Sequence, residues 1–189
     1  NVDILNLNLK NIPSDIVLSF HPLNLNLETT KKGFMGTAKI QGIKLVNPAV
    51  VVSIPTVIAN LDENKIEVQK SKTYFGKSEF YLSGTISDYL KEKILLDFVT
   101  EGKLNSSLTG SINPYNMSLG LNYSISENSE IIIPSFDKSK VVVNGSTSIQ
   151  GSMLNPILKG RFISPSITIP EVPVSMKDSI FSLDGPILK

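Results

Sequence analysis

The feature of this 189-residue chain that most constrains its fold is the alternation of apolar with small polar residues. Between Asn116 and Ser126 there is no charged residue, and the odd positions are all apolar: Met117, Leu119, Leu121, Tyr123 and Ile125. A period of two predicts a β-strand with these side chains on one face and serine, glycine and asparagine on the other. At about 3.3 Å per residue, the run from Met117 to Ile125 spans about 27 Å.

The same pattern recurs along the chain as a degenerate repeat. The stretch from Val141 to Ser182 contains it in full, as a strand, a glycine, an Asn-Pro loop, a second strand, a turn and a third strand rich in β-branched residues. Partial copies surround a series of marker glycines: Gly42, Gly84, Gly110 and Gly151. The recurrence predicts hairpin-sized units that stack in one direction.

The turn-forming residues between the apolar runs predict ten to fourteen strands. These should be mostly antiparallel, because the connections are too short for crossover helices. Turns are expected at Lys31–Gly33, Asp62–Asn64 and Phe75–Lys77. Ser87–Lys93 is the one helix-like segment, of at most one or two turns. Val50–Ile54 is apolar on both faces, which predicts a strand covered from both sides.

No composition typical of a linker divides the chain, so we expect residues 1–189 to form a single β-repeat segment. The sequence starts at Asn1 without an initiator methionine, and we expect it to have been excised from a longer protein. The segments Val2–Lys10 and Ser179–Leu188 would then be edge strands that have lost their neighbours.

The composition argues against a metal site, a catalytic site and a nucleic-acid-binding surface. There is no cysteine and one histidine, His21, which argues against a transition-metal site, and no motif for a cofactor or a catalytic nucleophile occurs. A net charge of +1 with a single arginine argues against nucleic acid as a partner. The carboxylate pairs Asp62/Glu63 and Glu127/Glu130 lie in polar, turn-like segments, where solvated side chains are expected. We therefore expect neither enzyme activity nor a cofactor or metal.

Two segments resemble a known family. Asn64 to Ser87 has a strand, a glycine turn and a strand that ends in Ser83-Gly84-Thr85-Ile86, and it resembles the recurring unit of AsmA-like proteins. Gly151 to Leu183 contains Gly-x-x-x-Asn-Pro-x-Leu-x-Gly-x-Phe followed by Ile-Thr-Ile-Pro, and it is similar to repeats near the C-terminal part of TamB proteins. Together the two segments cover roughly half of the chain.

The resemblance implies an all-β fold in which an extended, repeat-built, mostly antiparallel sheet is curled, taco-like, into an open apolar groove. It also implies a periplasmic location, in a protein anchored to the inner membrane outside this fragment, and a role in carrying phospholipid between the inner and outer membranes. The implied partners are phospholipid acyl chains, neighbouring β-repeats of the full-length protein and an outer-membrane protein. The expected groove residues lie on successive strands: Ile94, Leu96, Phe98, Met117, Leu119, Leu121, Tyr123, Ile125, Ile163, Ile167 and Ile169.

The alternative is a closed β-sandwich or β-solenoid that serves as a structural or adhesive stalk without a ligand. The same apolar residues would then form a dry core, because large exposed apolar patches are unusual on soluble proteins. A carboxylate introduced at Leu119 or Leu121 would distinguish the two architectures. An open groove would tolerate it, whereas a sealed core would lose several kcal/mol of stability, as expected for an unpaired buried charge.

Overall fold

A computed structural model describes residues 2–4, 7–9, 17–20, 23–47, 50–132, 139–169 and 174–186, and within these ranges the chain forms fourteen β-strands and no helix. The strands are β1 (Val2–Ile4), β2 (Leu7–Leu9), β3 (Val17–Phe20), β4 (Leu23–Thr29), β5 (Phe34–Asn47), β6 (Val50–Asp62), β7 (Lys65–Phe75), β8 (Ser78–Ser87), β9 (Ile94–Gly102), β10 (Ser106–Asn113), β11 (Ser118–Ile131), β12 (Lys140–Ser152), β13 (Asn155–Ile169) and β14 (Val174–Pro186). The predicted strand number is confirmed.

The strands build one antiparallel sheet. Eleven consecutive strands, β4 to β14, form a meander in which each strand pairs with the next along the chain. β1 pairs with β4, and β2 pairs with β3, which in turn pairs with β5. The sheet is neither closed into a barrel nor strongly curled. The all-β antiparallel prediction is confirmed, whereas a closed β-sandwich or β-solenoid is not the architecture and the strong taco-like curl is not observed.

The predicted turns join the strands as expected. Glu63 and Gly76 both adopt positive φ angles, 31° and 56°, in the turns that end β6 and β7. The helix-like segment Ser87–Lys93 forms a turn instead of a helix. Asp88 has a φ of 59°, a left-handed conformation that no α-helix contains, and its carbonyl accepts a hydrogen bond from the Lys91 backbone N–H at 2.8 Å.

The sheet has one apolar and one polar face. We call the face that carries Phe98, Leu108 and Tyr123 the apolar face, and the opposite one, which carries Asp97, Thr109 and Asn122, the polar face; cross-strand register aligns each of these triplets on β9, β10 and β11. Charged side chains of β5 to β9, β13 and β14 lie on the polar face: Lys39, Lys44, Asp62, Lys65, Glu67, Lys70, Lys72, Glu79, Asp97, Glu101, Lys159, Arg161 and Asp184. The period-two sequence pattern therefore places apolar side chains on one face of the sheet and polar or charged side chains on the other.

No second layer covers the apolar face of the described sheet. Only six apolar residues in the described part are buried: Val57, Ala59, Phe80, Val141, Val143 and Ile167. The other side chains of this face are mostly half-buried by their neighbours in the sheet. Val50–Ile54 is likewise not covered from both sides, since Val51 remains 36% exposed. The prediction of a doubly covered strand was therefore wrong. Apolar residues on both faces of a strand do not by themselves cause a second layer to pack on it.

Some predictions concern residues outside the described ranges. The predicted break at His21-Pro22 is one of them; β3 ends at Phe20 and β4 begins at Leu23 on either side of it. Within Val2–Lys10 the described parts are β1 and β2.

Nothing in the described part of the chain is a helix long and apolar enough to cross a membrane.

Candidate functional site

The candidate site is the central part of the apolar face, where the register of β8 to β13 aligns side chains in rows across the strands. One row contains Gly84, Phe98, Leu108, Tyr123, Thr147 and Gly160. The next contains Ile86, Leu96, Gly110, Leu121, Ile149 and Leu158. Because neighbouring strands are about 4.8 Å apart, six strands carry each row over about 24 Å. The second row is aliphatic over this length apart from Gly110, whereas the large side chains of the first row lie on β9 to β11.

The rows lead into a cavity of about 530 Å³, within the usual size range of small-molecule sites. It is lined by aromatic and aliphatic side chains with three hydroxyl groups, those of Thr100, Ser106 and Tyr123: Phe75, Phe80, Leu82, Phe98, Thr100, Leu104, Ser106, Leu108, Tyr123, Ile125 and Ile131. The lining contains no charged residue, so the cavity is a non-polar site open to the apolar face.

The end of β11 closes one side of this cavity. β11 is a 14-residue strand and extends beyond the 8-residue β10, with an irregularity in its register between Ile125 and Ser129. Past this point the Ile132 backbone N–H donates to Ser78 Oγ at 2.9 Å, which links the end of β11 to the start of β8. Ser129 Oγ accepts from the Asn105 N–H at 3.1 Å and donates to the Asn105 carbonyl at 3.0 Å. The sheet therefore folds over locally at this end, although it is not strongly curled as a whole.

The Thr100 and Ser106 hydroxyl groups in the cavity wall are already hydrogen-bonded within the protein. Thr100 Oγ1 donates to the Leu104 carbonyl at 2.9 Å and lies 2.8 Å from Ser106 Oγ. Within the described residues, no buried side-chain nitrogen or oxygen lacks a hydrogen-bond partner. The Thr100 and Ser106 hydroxyl groups thus need no hydrogen bond from an occupant, and a hydrocarbon chain contacts this part of the wall without breaking one.

Nine of the eleven sequence-predicted groove residues lie on the apolar face: Ile94, Leu96, Phe98, Leu119, Leu121, Tyr123, Ile125, Ile167 and Ile169. Phe98, Tyr123 and Ile125 line the cavity itself. Ile167 is 6% exposed and packs in a cluster with Val141 and Val143, against which Ile125 and Ile169 also pack. The structure therefore assembles most of the predicted residues on one surface.

Met117 and Ile163 do not join this surface. Met117 precedes β11 in the β10–β11 turn with a φ of 54°, so the alternating ribbon starts at Ser118. From Leu119 to Ile125 it spans about 20 Å, less than the full nine-residue run. Ile163 pairs with Asn144 and is 37% exposed on the polar face, because a bulge between Val142 and Asn144 shifts the register before Ile167.

Several cavity residues were missed by the sequence reasoning, namely Phe75, Phe80, Leu82, Leu104, Leu108 and Ile131. A signal for two of them was present, since Phe80 and Leu82 alternate with Glu79 and Tyr81 as strand residues do. No local signal marks Leu104 or Ile131. Leu104 lies in the β9–β10 turn, and Ile131 reaches the cavity only through the register irregularity of β11.

On the polar face, all three lysines of β7 form ion pairs. Lys70 Nζ lies 2.6 Å from Glu101 and Lys72 Nζ lies 2.9 Å from Glu79, and each ammonium also approaches a tyrosine ring. The hydrogen bond to Glu79, followed by one to Tyr74, raises the pKa of Lys72 above its ordinary value of 10.5. Lys72 therefore keeps its charge throughout the physiological pH range.

The carboxylates singled out in the sequence do not gather into a metal site. Glu63 lies 4.0 Å from Lys32 and Glu130 lies 2.8 Å from Lys140. Across the described ranges, no group of three or more His, Cys, Asp or Glu side chains is arranged to hold a metal ion. These carboxylates therefore provide no candidate site, in contrast to the apolar face.

Comparison of this chain with protein-family models, with curated proteins and with solved structures gives no significant match.

Proposed function

We propose that the apolar face binds phospholipid acyl chains, and that the chain is a segment of a periplasmic lipid-transport protein that carries phospholipid between the inner and outer membranes. One observation carries the proposal: a wide apolar face, without a covering layer in the described sheet, leads into a cavity of about 530 Å³ whose lining contains no charged residue. The resemblance of Asn64–Ser87 to AsmA-like repeats and of Gly151–Leu183 to TamB repeats supports the same reading.

Energetics favour an acyl chain as the occupant. Each methylene group removed from water contributes about 0.8 kcal/mol, so a chain of about ten buried methylenes gains up to about 8 kcal/mol before ordering costs. The row from Ile86 to Leu158 extends about 24 Å across β8 to β13, which lets a flexible chain continue from the cavity over neighbouring strands. A bridge-like transporter needs such a continuous surface, and neighbouring β-repeats of a full-length protein would prolong it at either end.

A ligand-free stalk is the weaker candidate. It requires the apolar residues to be sealed in a dry core, whereas only six of them are buried in the described part of the chain. A second copy that covers the face is the remaining competitor, and it would appear as a dimer that dissociates when lipid is added. Mass measurement by light scattering, with and without lipid, separates this outcome from lipid binding by a monomer.

The decisive experiment is mass spectrometry of organic extracts from the purified protein and two variants. Leu121→Asp places a charge in an apolar row, whereas Gln150→Asp adds the same charge on the polar face, next to Ile149, the register partner of Leu121. We expect the native protein and Gln150→Asp to carry stoichiometric phospholipid and Leu121→Asp to lose it. Water can reach the half-buried site, so Leu121→Asp should lower the free energy of unfolding by only about 1 kcal/mol.

Two outcomes would contradict the proposal. The first is native protein that carries no lipid and takes none up from phospholipid vesicles. The second is a Leu121→Asp variant that unfolds with a loss of several kcal/mol, as expected when an unpaired carboxylate is sealed in a core. Reduced transport in the full-length protein carrying the same substitution would extend the test to the complete function.

A further inference from the structure

A second depression lies on the polar face of β10 to β13, and its volume is about 480 Å³. Two cross-strand rows supply its polar side chains. One row contains Ser107, Ser124, Ser146 and Arg161, and the other contains Thr109, Asn122, Ser148 and Lys159. Each row consists of three hydroxyl or amide side chains followed by a cation, so the two cations lie side by side at the same edge of the depression.

The two cations differ from the lysines of β7 in having no ion-pair partner. Within the described part of the chain, neither Arg161 nor Lys159 has a carboxylate oxygen within 4.0 Å, whereas Lys70 and Lys72 each do. Asp184 is the register partner of Lys159 on β14, yet the two form no ion pair in the described structure. The lining of the depression itself contains no carboxylate, and its charge is therefore positive.

The floor of the depression supplies additional hydrogen-bond donors. In the described structure the side chains of Thr109, Asn122 and Ser146 form no hydrogen bonds within the protein, and all three are exposed. Ser107 Oγ and Ser124 Oγ lie 2.8 Å apart in a hydrogen bond, and Ser148 Oγ donates to the Lys159 carbonyl. An arginine fork beside an ammonium and several hydroxyl or amide donors is the chemistry that recognises an anion with several oxygens.

We propose that this depression binds a phosphate group, held by Arg161 and Lys159 and by donors of the two polar rows. The site lies on the opposite side of the sheet from the acyl-chain surface, so it is independent of the proposed lipid-binding function. A phospholipid headgroup in a membrane surface and a soluble phosphate both present this group. Contact with a headgroup would place the polar face against a membrane, whereas a soluble phosphate would leave it in water.

The test is titration with inorganic phosphate, followed by NMR shifts of backbone amides in β10 to β13. We expect saturable binding to the native protein and about tenfold weaker binding in Arg161→Gln and in Lys159→Gln, because each removes a charge-assisted contact. Lys39→Gln is the matched control, since it removes a positive charge from an exposed position on the same face of β5, away from the depression. That variant should bind phosphate within about twofold of the native protein.

Flotation with vesicles distinguishes the two sources of phosphate. Capture by phosphatidylglycerol vesicles that is lost in Arg161→Gln but kept in Lys39→Gln supports a headgroup as the ligand, whether or not inorganic phosphate saturates the site. Saturable phosphate binding without vesicle capture supports a soluble ligand. Absence of both, or equal losses in Lys39→Gln and Arg161→Gln, would overturn the proposal. All variants should keep the native thermal melt because the substituted side chains are exposed.

Discussion

At the scale of single residues, three fully buried serines lie at strand ends or beside register shifts, where the regular ladder of backbone hydrogen bonds is interrupted. Ser129 and Ser164 lie next to the register shifts of β11 and β13, and Ser78 starts β8. Each hydroxyl is bonded to the backbone of another strand or turn; Ser164 Oγ, for example, donates to the Val142 carbonyl at 2.6 Å. A bend interrupts the normal ladder of backbone hydrogen bonds, and a short hydroxyl side chain satisfies the groups that are left over.

The contact between Ser78 and Ile132 yields a prediction about stability. Ser78→Ala removes the acceptor of the Ile132 N–H near the closed end of the cavity, so it should lower the free energy of unfolding by about 1–3 kcal/mol. Ser83→Ala, a half-buried serine on the polar face of the same strand, should change it by less than about 0.5 kcal/mol. Urea denaturation of the two variants provides the measurement. Equal effects would show that the Ser78 contact does not hold the end of β11.

At the scale of elements, β14 is an edge strand of the described sheet. It is 13 residues long and pairs only with β13 within the described sheet, so one of its edges presents unpaired backbone groups. Its side chains Ile180, Phe181 and Leu183 are 55%, 47% and 39% exposed. A long apolar edge of this kind favours pairing with another strand, either from a neighbouring repeat or from a second molecule.

We predict that the protein self-associates through this edge and that proline substitution reveals which backbone groups are involved. Along an antiparallel edge strand, successive N–H groups alternate between the partner strand and the open side. Of the adjacent variants Ser182→Pro and Leu183→Pro, one should therefore abolish association and keep the fold, and the other should break the pairing of β14 with β13. Sedimentation velocity over a range of concentrations measures association, and circular dichroism measures folding. Monomeric native protein at high concentration would contradict the prediction.

At the scale of the whole molecule, the sheet is nearly one-dimensional. The extensive contacts in the described structure all join strands that are neighbours in the sheet, and from β4 to β14 these are also neighbours in sequence. Beyond these nearest-neighbour pairings, single hydrogen bonds in the described structure join more distant segments, among them the Ile132 N–H to Ser78 Oγ and the Phe34 N–H to the Tyr89 hydroxyl. Stability in such an array is close to a sum of nearest-neighbour terms.

This architecture predicts graded protection in hydrogen exchange. Amides of β8 to β11, which have neighbours on both sides and surround the closed end of the cavity, should exchange most slowly, whereas those of β4 and β14 should exchange fastest by local fraying. Unfolding in urea should accordingly be broad, with a spread of midpoints between strands measured by exchange at increasing denaturant. A single sharp transition with uniform protection would instead indicate a cooperative core that this sheet lacks. Added phospholipid should raise protection mainly around the cavity.

Much of the fold could be predicted because its signals are local. Alternation identified the strands, and short connections with glycine, asparagine and proline required antiparallel neighbours, as in the turns at Asp62–Asn64 and Phe75–Lys77. The helix-like segment Ser87–Lys93 was misleading because its short run of helix formers contains Asp88, which adopts a left-handed conformation in a turn. The apolar face itself was predicted for the nine residues from Ile94 to Ile169 that share it.

The sequence by itself determined the strands, their order and the separation of apolar from polar side chains, since a period of two fixes the face of every residue between irregularities. Only the tertiary structure decided where that rule is interrupted. One extra residue in β13 opposite the Val142–Asn144 bulge turns Ile163 to the polar face, and the irregularity of β11 brings Ile131 into the cavity. Bulges arise from pairing between strands, so no single strand encodes them. For the same reason, whether an apolar face is covered depends on the packing of the whole sheet.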